Sequence, residues 1–270
     1  MLRPDSTPLL TLLPNGVLLA LLFPALMACT SPSQTDTDTQ DKPEEPMLTS
    51  TAQRLLVVRT AGWDSVAGTL HTFVRAESGW EMATEPIPIV VGKNGLGWGR
   101  GIQDFTSRPG PVKQEGDLKS PAGVFSLGEA FGYADPQAAT FIKAPYTHVT
   151  AVTMCIEDTA SAHYNRILDE GAETPDWNST DHMLRQDDLY EWGMFVNHNR
   201  PGPVPGGGSC IFLHVWRQND SGTAGCTAMP KVRMRELLAW IDPQQSPLLV
   251  QLPAAEYAAL QAEWGLPALP

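Results

Sequence analysis

Residues 205–229 read PGGGSCIFLHVWRQNDSGTAGCTAM, and they limit the fold and its chemistry more than any other stretch. Over 211–216 successive side chains alternate across a strand, with Ile211, Leu213 and Val215 on one side and Phe212, His214 and Trp216 on the other. The aliphatic side suits a packed interior, which leaves His214 between two aromatic residues on the opposite face. A polar, turn-prone run from Arg217 to Gly222 follows, and then Thr223-Ala224-Gly225-Cys226. A hairpin-like return over that run brings Cys226 back beside His214. A neighbouring imidazole raises the thiolate fraction of a cysteine by taking its proton. Gly225 permits a sharp turn whose amide N–H groups point at a developing oxyanion, with the Thr223 hydroxyl close by. Each residue alone has an inert reading, because buried cysteines and strand histidines are more often structural. Their coupling by a polar loop, after the glycines at 206–208, points to a thiol active site. Zinc is the other chemical option, but no C-x-x-C or H-x-x-x-H spacing accompanies the pair.

The chain beyond position 50 is long enough for one sizeable core. Apolar runs at 54–59, 69–75, 87–91, 123–127, 151–156, 193–197, 211–216 and 248–252 are separated by abundant Gly and Pro, the pattern of an all-β fold rich in turns. A helix is expected over 231–241, between Pro230 and Asp242-Pro243, and a second over 254–264, ended by Gly265. No internal repeat is present, so one folded domain is expected. The net charge of −12 excludes nucleic acid as a natural partner. Glu157-Asp158 is an acid pair of the kind usually found in a solvated turn.

With His214 and Thr223-Ala224-Gly225-Cys226-Thr227-Ala228, the sequence resembles the L,D-transpeptidase (YkuD-type) catalytic domain family, whose signature is a histidine, a loop and [Ser/Thr]-x-Gly-Cys. Lys119-Ser120-Pro121-Ala122-Gly123-Val124-Phe125 resembles that family's Thr-Pro-x-Gly-x-Phe strand start, and the likeness takes in most of 53–252. Three departures stand out. Cys226 follows His214 by only twelve positions, Ala224 replaces a frequent histidine, and Ala228 stands where Asn or Arg is usual. The resemblance implies a mainly β, L,D-transpeptidase-like β-sandwich with a few short helices over 51–270. It implies a Cys226 nucleophile, a His214 base oriented by the Val215 backbone carbonyl, oxyanion donors around Gly225 helped by Thr223, and no metal or organic cofactor. The substrates implied are peptidoglycan stem peptides. Trp216, Tyr164 and Asn165 are expected to line the substrate cleft, Trp216 because it alternates onto the His214 face. Hydrolysis remains open beside transfer, as an L,D-carboxypeptidase or an amidase, and so does a non-catalytic wall-binding lipoprotein.

The first 28 residues are read as a lipoprotein signal peptide. The apolar run at 16–27 is short for a spanning helix, and Leu26-Met27-Ala28-Cys29 resembles a bacterial lipobox. Lipidation at Cys29 would anchor the chain to a membrane in an extracytoplasmic, periplasm-facing position, and Ser31 by analogy favours the outer membrane. Ordinary secretion with cleavage near Ala28 is the alternative. Residues 29–50 carry Ser, Thr, Pro, Gln and acids with little that is apolar, the composition of a flexible tether. Asn178-Ser179-Thr180 and Asn219-Asp220-Ser221 match a glycosylation pattern that a bacterial lipoprotein would not use. If Cys29 carries lipid and Cys226 is the nucleophile, Cys155 and Cys210 are left as a disulfide pair in an oxidising compartment. Either of them bonded to Cys226 instead would abolish catalysis.

Overall fold

The computed structural model describes residues 48–270; the signal segment, Cys29 and the tether up to residue 47 lie outside the described residues. Fourteen strands are present among them: β1 (Arg54–Thr60), β2 (Ala67–Ala76), β3 (Gly79–Met82), β4 (Ile87–Val90), β5 (Leu96–Trp98), β6 (Ser120–Gly132), β7 (Tyr146–His148), β8 (Thr153–Ile156), β9 (Ile167–Asp169), β10 (Thr180–His182), β11 (Trp192–Val196), β12 (Phe212–Val215), β13 (Thr227–Met229) and β14 (Leu248–Pro253). Two α-helices follow the sequence boundaries closely, α1 (Lys231–Trp240) after Pro230 and α2 (Ala254–Trp264) before Gly265, which takes φ +66°.

The fold is mainly β with two short α-helices, the class expected. Its main sheet runs β1-β14-β6-β11-β12-β13-β4-β2, and β1 pairs with both β14 and β2, so the sheet closes on itself. The two layers of the expected sandwich are thereby joined, and closure leaves no exposed edge in that ring. β3 extends β2, while β5 and β7 pair with β6. A separate three-stranded sheet, β10-β8-β9, carries Cys155. Residues 48–50, assigned to the tether from composition, fold with the domain: Thr49 is buried and its hydroxyl donates to the Trp264 carbonyl at 2.8 Å. That carbonyl lies in the last turn of α2, where no helical donor is left for it.

Every residue of β11, β12 and β14 is buried, because α1 covers β11 and β12 while α2 covers β14 and β1. Along β12 the alternation separates two interiors. Leu213 and Val215 enter the main core with Ile211, and Phe212 enters a second cluster with Phe131, Phe195, Tyr190, Cys155, Cys210 and Cys226. The expected hairpin return is corrected. β13 pairs with β12 in parallel, Leu213 opposite Thr227 and His214 opposite Ala228. The chain between them crosses outward to the β4 end, where Lys93 N–H donates to the Thr223 carbonyl and Thr223 N–H to that of Val91, both at 2.9 Å. Parallel neighbours need such a crossover, whereas a tight turn serves only antiparallel ones.

Gly193 on β11 faces His214 across one ladder and Phe131 across the other. A Cβ there would run into the ring of Phe131, which is fully buried against Phe212 and Tyr190. Gly193→Ala is expected to cost about 1–3 kcal/mol by overpacking, a fall of roughly 2–12 °C in Tm for a domain of this size. Thermal unfolding checks it, and an unchanged Tm would mean that the aromatic cluster yields freely.

Candidate active site

His214 projects from β12 into a cavity of about 300 Å³ that Cys226 also lines. The parallel register fixes this, because pairing Leu213 with Thr227 seats Cys226 beside the start of β12. Phe212 N–H donates to the Cys226 sulfur at 3.3 Å, and the thiol donates to the Cys210 carbonyl at 3.5 Å. His214 Nδ1 lies 2.7 Å from the Val215 carbonyl, which can only accept, so Nδ1 carries the proton and Nε2 holds the lone pair. Tyr190 stands edge-on to the imidazole, ring centroids 5.4 Å apart. Burial lowers His214 to about 4, against the Val215 and Leu189 carbonyls, which favour the charged ring. Burial pushes Cys226 up to about 12, against the Phe212 amide. The resting pair is therefore a neutral thiol and a neutral imidazole. Such a pair acts by general-base assistance, the proton leaving sulfur as sulfur attacks.

The turn before Cys226 is braced by hydroxyls. Thr223 Oγ1 accepts from Gly225 N–H at 3.1 Å and donates to the Cys226 carbonyl at 2.6 Å. The buried Ser120 hydroxyl donates to the same carbonyl at 2.8 Å and accepts from Gly92 N–H at 2.9 Å. Gly225 is close-packed: a Cβ would sit 3.2 Å from both the Ile211 side chain and the Lys119 carbonyl. Thr223 and Gly225 thus shape the turn, and the Gly225 amide is already engaged. The Ala224 and Cys226 amides make no hydrogen bond among the described residues.

Other expected site residues fall elsewhere. Trp216 follows the end of β12 and lines a groove with Asp187, Val215 and Lys231 that adjoins the His214 cavity through Leu189 and Arg217. Tyr164 is buried behind the site, its hydroxyl donating to Glu115. Asn165 is buried too: its amide nitrogen donates to the His198 and Asn199 carbonyls, both at 3.0 Å, and its oxygen accepts from Cys210 N–H at 2.9 Å. Neither Tyr164 nor Asn165 reaches the cavity, since their polar atoms are consumed in bracing the loop before β12. Cys155 and Cys210 are joined by a disulfide and Cys226 is a free thiol.

On the other side of Cys226 lies a second cavity of about 200 Å³, lined by Lys113, Glu115, Glu157, Asp181, Tyr190 and Ser209 among others. Tyr190, Ala224 and Cys226 border both chambers. The solvated-turn reading fits Asp158, which accepts from Ala160 and Asn178 amides, and fails for Glu157. Burial, then Asp181 and Glu115, raise Glu157 to about 7. Tyr190 donates to Asp181 at 2.6 Å. None of Tyr190, Glu115 or Asp181 carries a local signal of its role, because each reaches the site from a different loop or strand. The one hint is Asp187, whose carboxylate accepts from Leu189 N–H at the start of a short 3-10 turn (Asp188–Tyr190). Among the described residues no three or more His, Cys, Asp or Glu side chains converge as metal ligands.

A family model of the L,D-transpeptidase catalytic domain (YkuD) matches residues 69–250, a span running from β2 to β14 and enclosing the whole cavity. The chain belongs to that family of peptidoglycan-related enzymes. No curated protein and no solved structure matches it at a significant level.

Proposed function

We propose that this domain is a cysteine-dependent L,D-transpeptidase that processes peptidoglycan stem peptides through a thioester on Cys226. The observation that carries the reading is the shared cavity in which a free thiol meets an imidazole whose Nδ1–H is held by the Val215 carbonyl. His214 Nε2 takes the thiol proton as sulfur attacks the peptide carbonyl carbon. The oxyanion is received by the Cys226 amide, which has no other partner among the described residues. The C–N bond then breaks as the imidazolium returns its proton to the leaving amine. An acceptor amine, activated by His214, attacks the thioester and releases the thiol; water in its place makes the same site an L,D-carboxypeptidase or amidase.

Intact-mass measurement of the domain mixed with tetrapeptide stems, with and without an added amine, tests this. A thioester adduct or exchanged stem that vanishes in Cys226→Ala supports the reading, and amine dependence separates transfer from hydrolysis. Folded, reduced protein that yields neither adduct nor product would sink it.

Thr223→Val removes both hydroxyl bonds that brace the cysteine turn. At about 0.7–1.4 kcal/mol each, their loss is expected to lower kcat roughly ten- to hundredfold while the free thiol persists. An unchanged kcat in folded protein would show that Ser120 holds the turn alone.

We also infer from Leu26-Met27-Ala28-Cys29 that the chain is exported and membrane-anchored through Cys29. Radiolabelled fatty acid should mark the wild-type chain and not Cys29→Ser; equal labelling would refute the anchor.

A further inference from the structure

The two chambers that meet at Cys226 have opposite charge. The His214 chamber is lined by Lys93, Arg185 and Arg217 and by no carboxylate. The other is lined by Glu115, Glu157 and Asp181, with Lys113 as its one cation, and that ammonium is bonded to Asp117 at 2.6 Å. Within the cationic chamber the arginines are already engaged. Arg185 Nε reaches Asp187 Oδ1 at 2.8 Å and Arg217 Nη2 reaches Asp187 Oδ2 at 3.1 Å, so one carboxylate serves both. Lys93 makes no ion pair among the described residues. Its main chain is rooted in the cysteine loop: Lys93 N–H donates to the Thr223 carbonyl at 2.9 Å, and a Cβ on Gly222 would sit 2.8 Å from Lys93 Cα. The Lys93 backbone is thus fixed beside the cysteine loop, and the residue lines the chamber that holds the base.

Proton transfer orients the substrate. The leaving nitrogen must take its proton from His214, so the residue that departs occupies the His214 chamber, and the acyl part extends toward the acidic one. An α-carboxylate on the departing residue is then carried toward Lys93 and two arginines that share a single carboxylate, while the opposite orientation would carry it into the chamber lined by Glu115, Glu157 and Asp181. Charge and chemistry select the same direction.

Resting on the thioester reading above, we propose that Lys93 is a specificity-determining residue that binds the free terminal carboxylate of the leaving amino acid, with Arg217 beside it. The enzyme therefore prefers a leaving residue that carries a free carboxylate and discriminates against amidated or internal sites. Ala228 lines the same chamber without a polar group, so Lys93 meets no competing polar side chain from that position.

The test compares a stem tetrapeptide ending in a free carboxylate with its C-terminal amide, in the wild type, Lys93→Gln and Lys93→Arg. The wild type should favour the acid at least tenfold in kcat/KM. Lys93→Gln should reduce that ratio about tenfold, through KM for the acid, and Lys93→Arg should restore most of it. Raising the salt should weaken the preference as screening grows. Equal handling of acid and amide by the wild type, an unchanged ratio in Lys93→Gln, or equal failure of Gln and Arg variants would overturn the proposal. Calorimetric binding of the two peptides to Cys226→Ala separates this from the chemistry. Tighter binding of the acid that disappears on adding Lys93→Gln supports the carboxylate site even if neither peptide is turned over, an outcome that would sink the thioester reading alone. Equal binding of acid and amide there would overturn the site.

Discussion

Replacing His214 by glutamine should lower kcat/KM for thioester formation by two to four orders of magnitude, the range that a positioned proton-transfer group supplies. Glutamine keeps a polar side chain in the slot and removes only the base. The pH profile gives the sharper reading, because His214 is held down to about 4 and Cys226 is pushed up to about 12. The free enzyme is competent while the imidazole is neutral, so the acid limb of kcat/KM should fall near pH 4, not near the 6.5 of an ordinary histidine. Between that limb and the alkaline region neither His214 nor Cys226 should add a step, since no thiolate population grows in until pH nears the raised thiol value. Iodoacetamide should likewise label Cys226 slowly at neutral pH. An acid limb near pH 6.5 would indicate an imidazole of ordinary basicity, and fast alkylation at pH 7 a preformed thiolate.

The same burial links protons to stability. His214 and His198, lowered by burial to about 4 and about 3, and His71, lowered in the same direction, are all neutral in the folded protein. The unfolded chain binds more protons below pH 6.5, so their contribution is fully present above that value and is lost as pH falls through 4 toward 3. Glu157, raised to about 7, acts in the opposite sense, favouring the fold below the unfolded carboxylate value and ceasing to do so as pH rises through 7.

The second large effect is expected at the disulfide. Cys155 and Cys210 close a loop of 55 residues that links the small sheet to the segment leading into β12. In the chain-entropy account a loop of that length is worth about 4 kcal/mol, or roughly 8–16 °C in Tm for a domain of this size. Cys155→Ser/Cys210→Ser leaves no other thiol among the described residues to mispair with Cys226, so in the domain it measures the crosslink alone, and the wild type unfolded under reductant should match it. Activity should fall as well. The Cys210 carbonyl receives the Cys226 thiol, its amide is held by Asn165, and its backbone sits at φ +53°, a conformation the crosslink and Asn165 hold in place. A double variant within 2 °C of the wild type would show that the closed sheet by itself fixes the loop.

Much of this was legible in the chain. The runs at 54–59, 69–75, 87–91 and 248–252 are apolar, β-rich and bounded by Gly or Pro, and local side-chain periodicity suffices to mark a strand. Pro230 and Gly265 marked helix ends because Pro, with no N–H to donate, fits just before the first turn, where it stands at the N-cap, and Gly tolerates φ +66°. His214, Gly225 and Cys226 stood out because strand, glycine turn and thiol fall within one short segment. What lay beyond reach was pairing between distant segments. The three residues of β13 are too few to show a period, so nothing local told a parallel crossover from a hairpin. The closure of β1 onto both β14 and β2 is a choice among edges that each strand leaves open. Trp216 lines the groove adjoining the cavity because alternation stops where β12 stops, and Tyr164 and Asn165 were drawn inward to satisfy buried polar groups. The opposing chambers are assembled from Lys93, Arg185 and Arg217 on one side and Glu115, Glu157 and Asp181 on the other, residues far apart in the chain. Local pattern determined which elements form and which atoms do chemistry; only the folded sheet decided what charge surrounds them, because Coulomb interaction depends on distance in space and not along the chain.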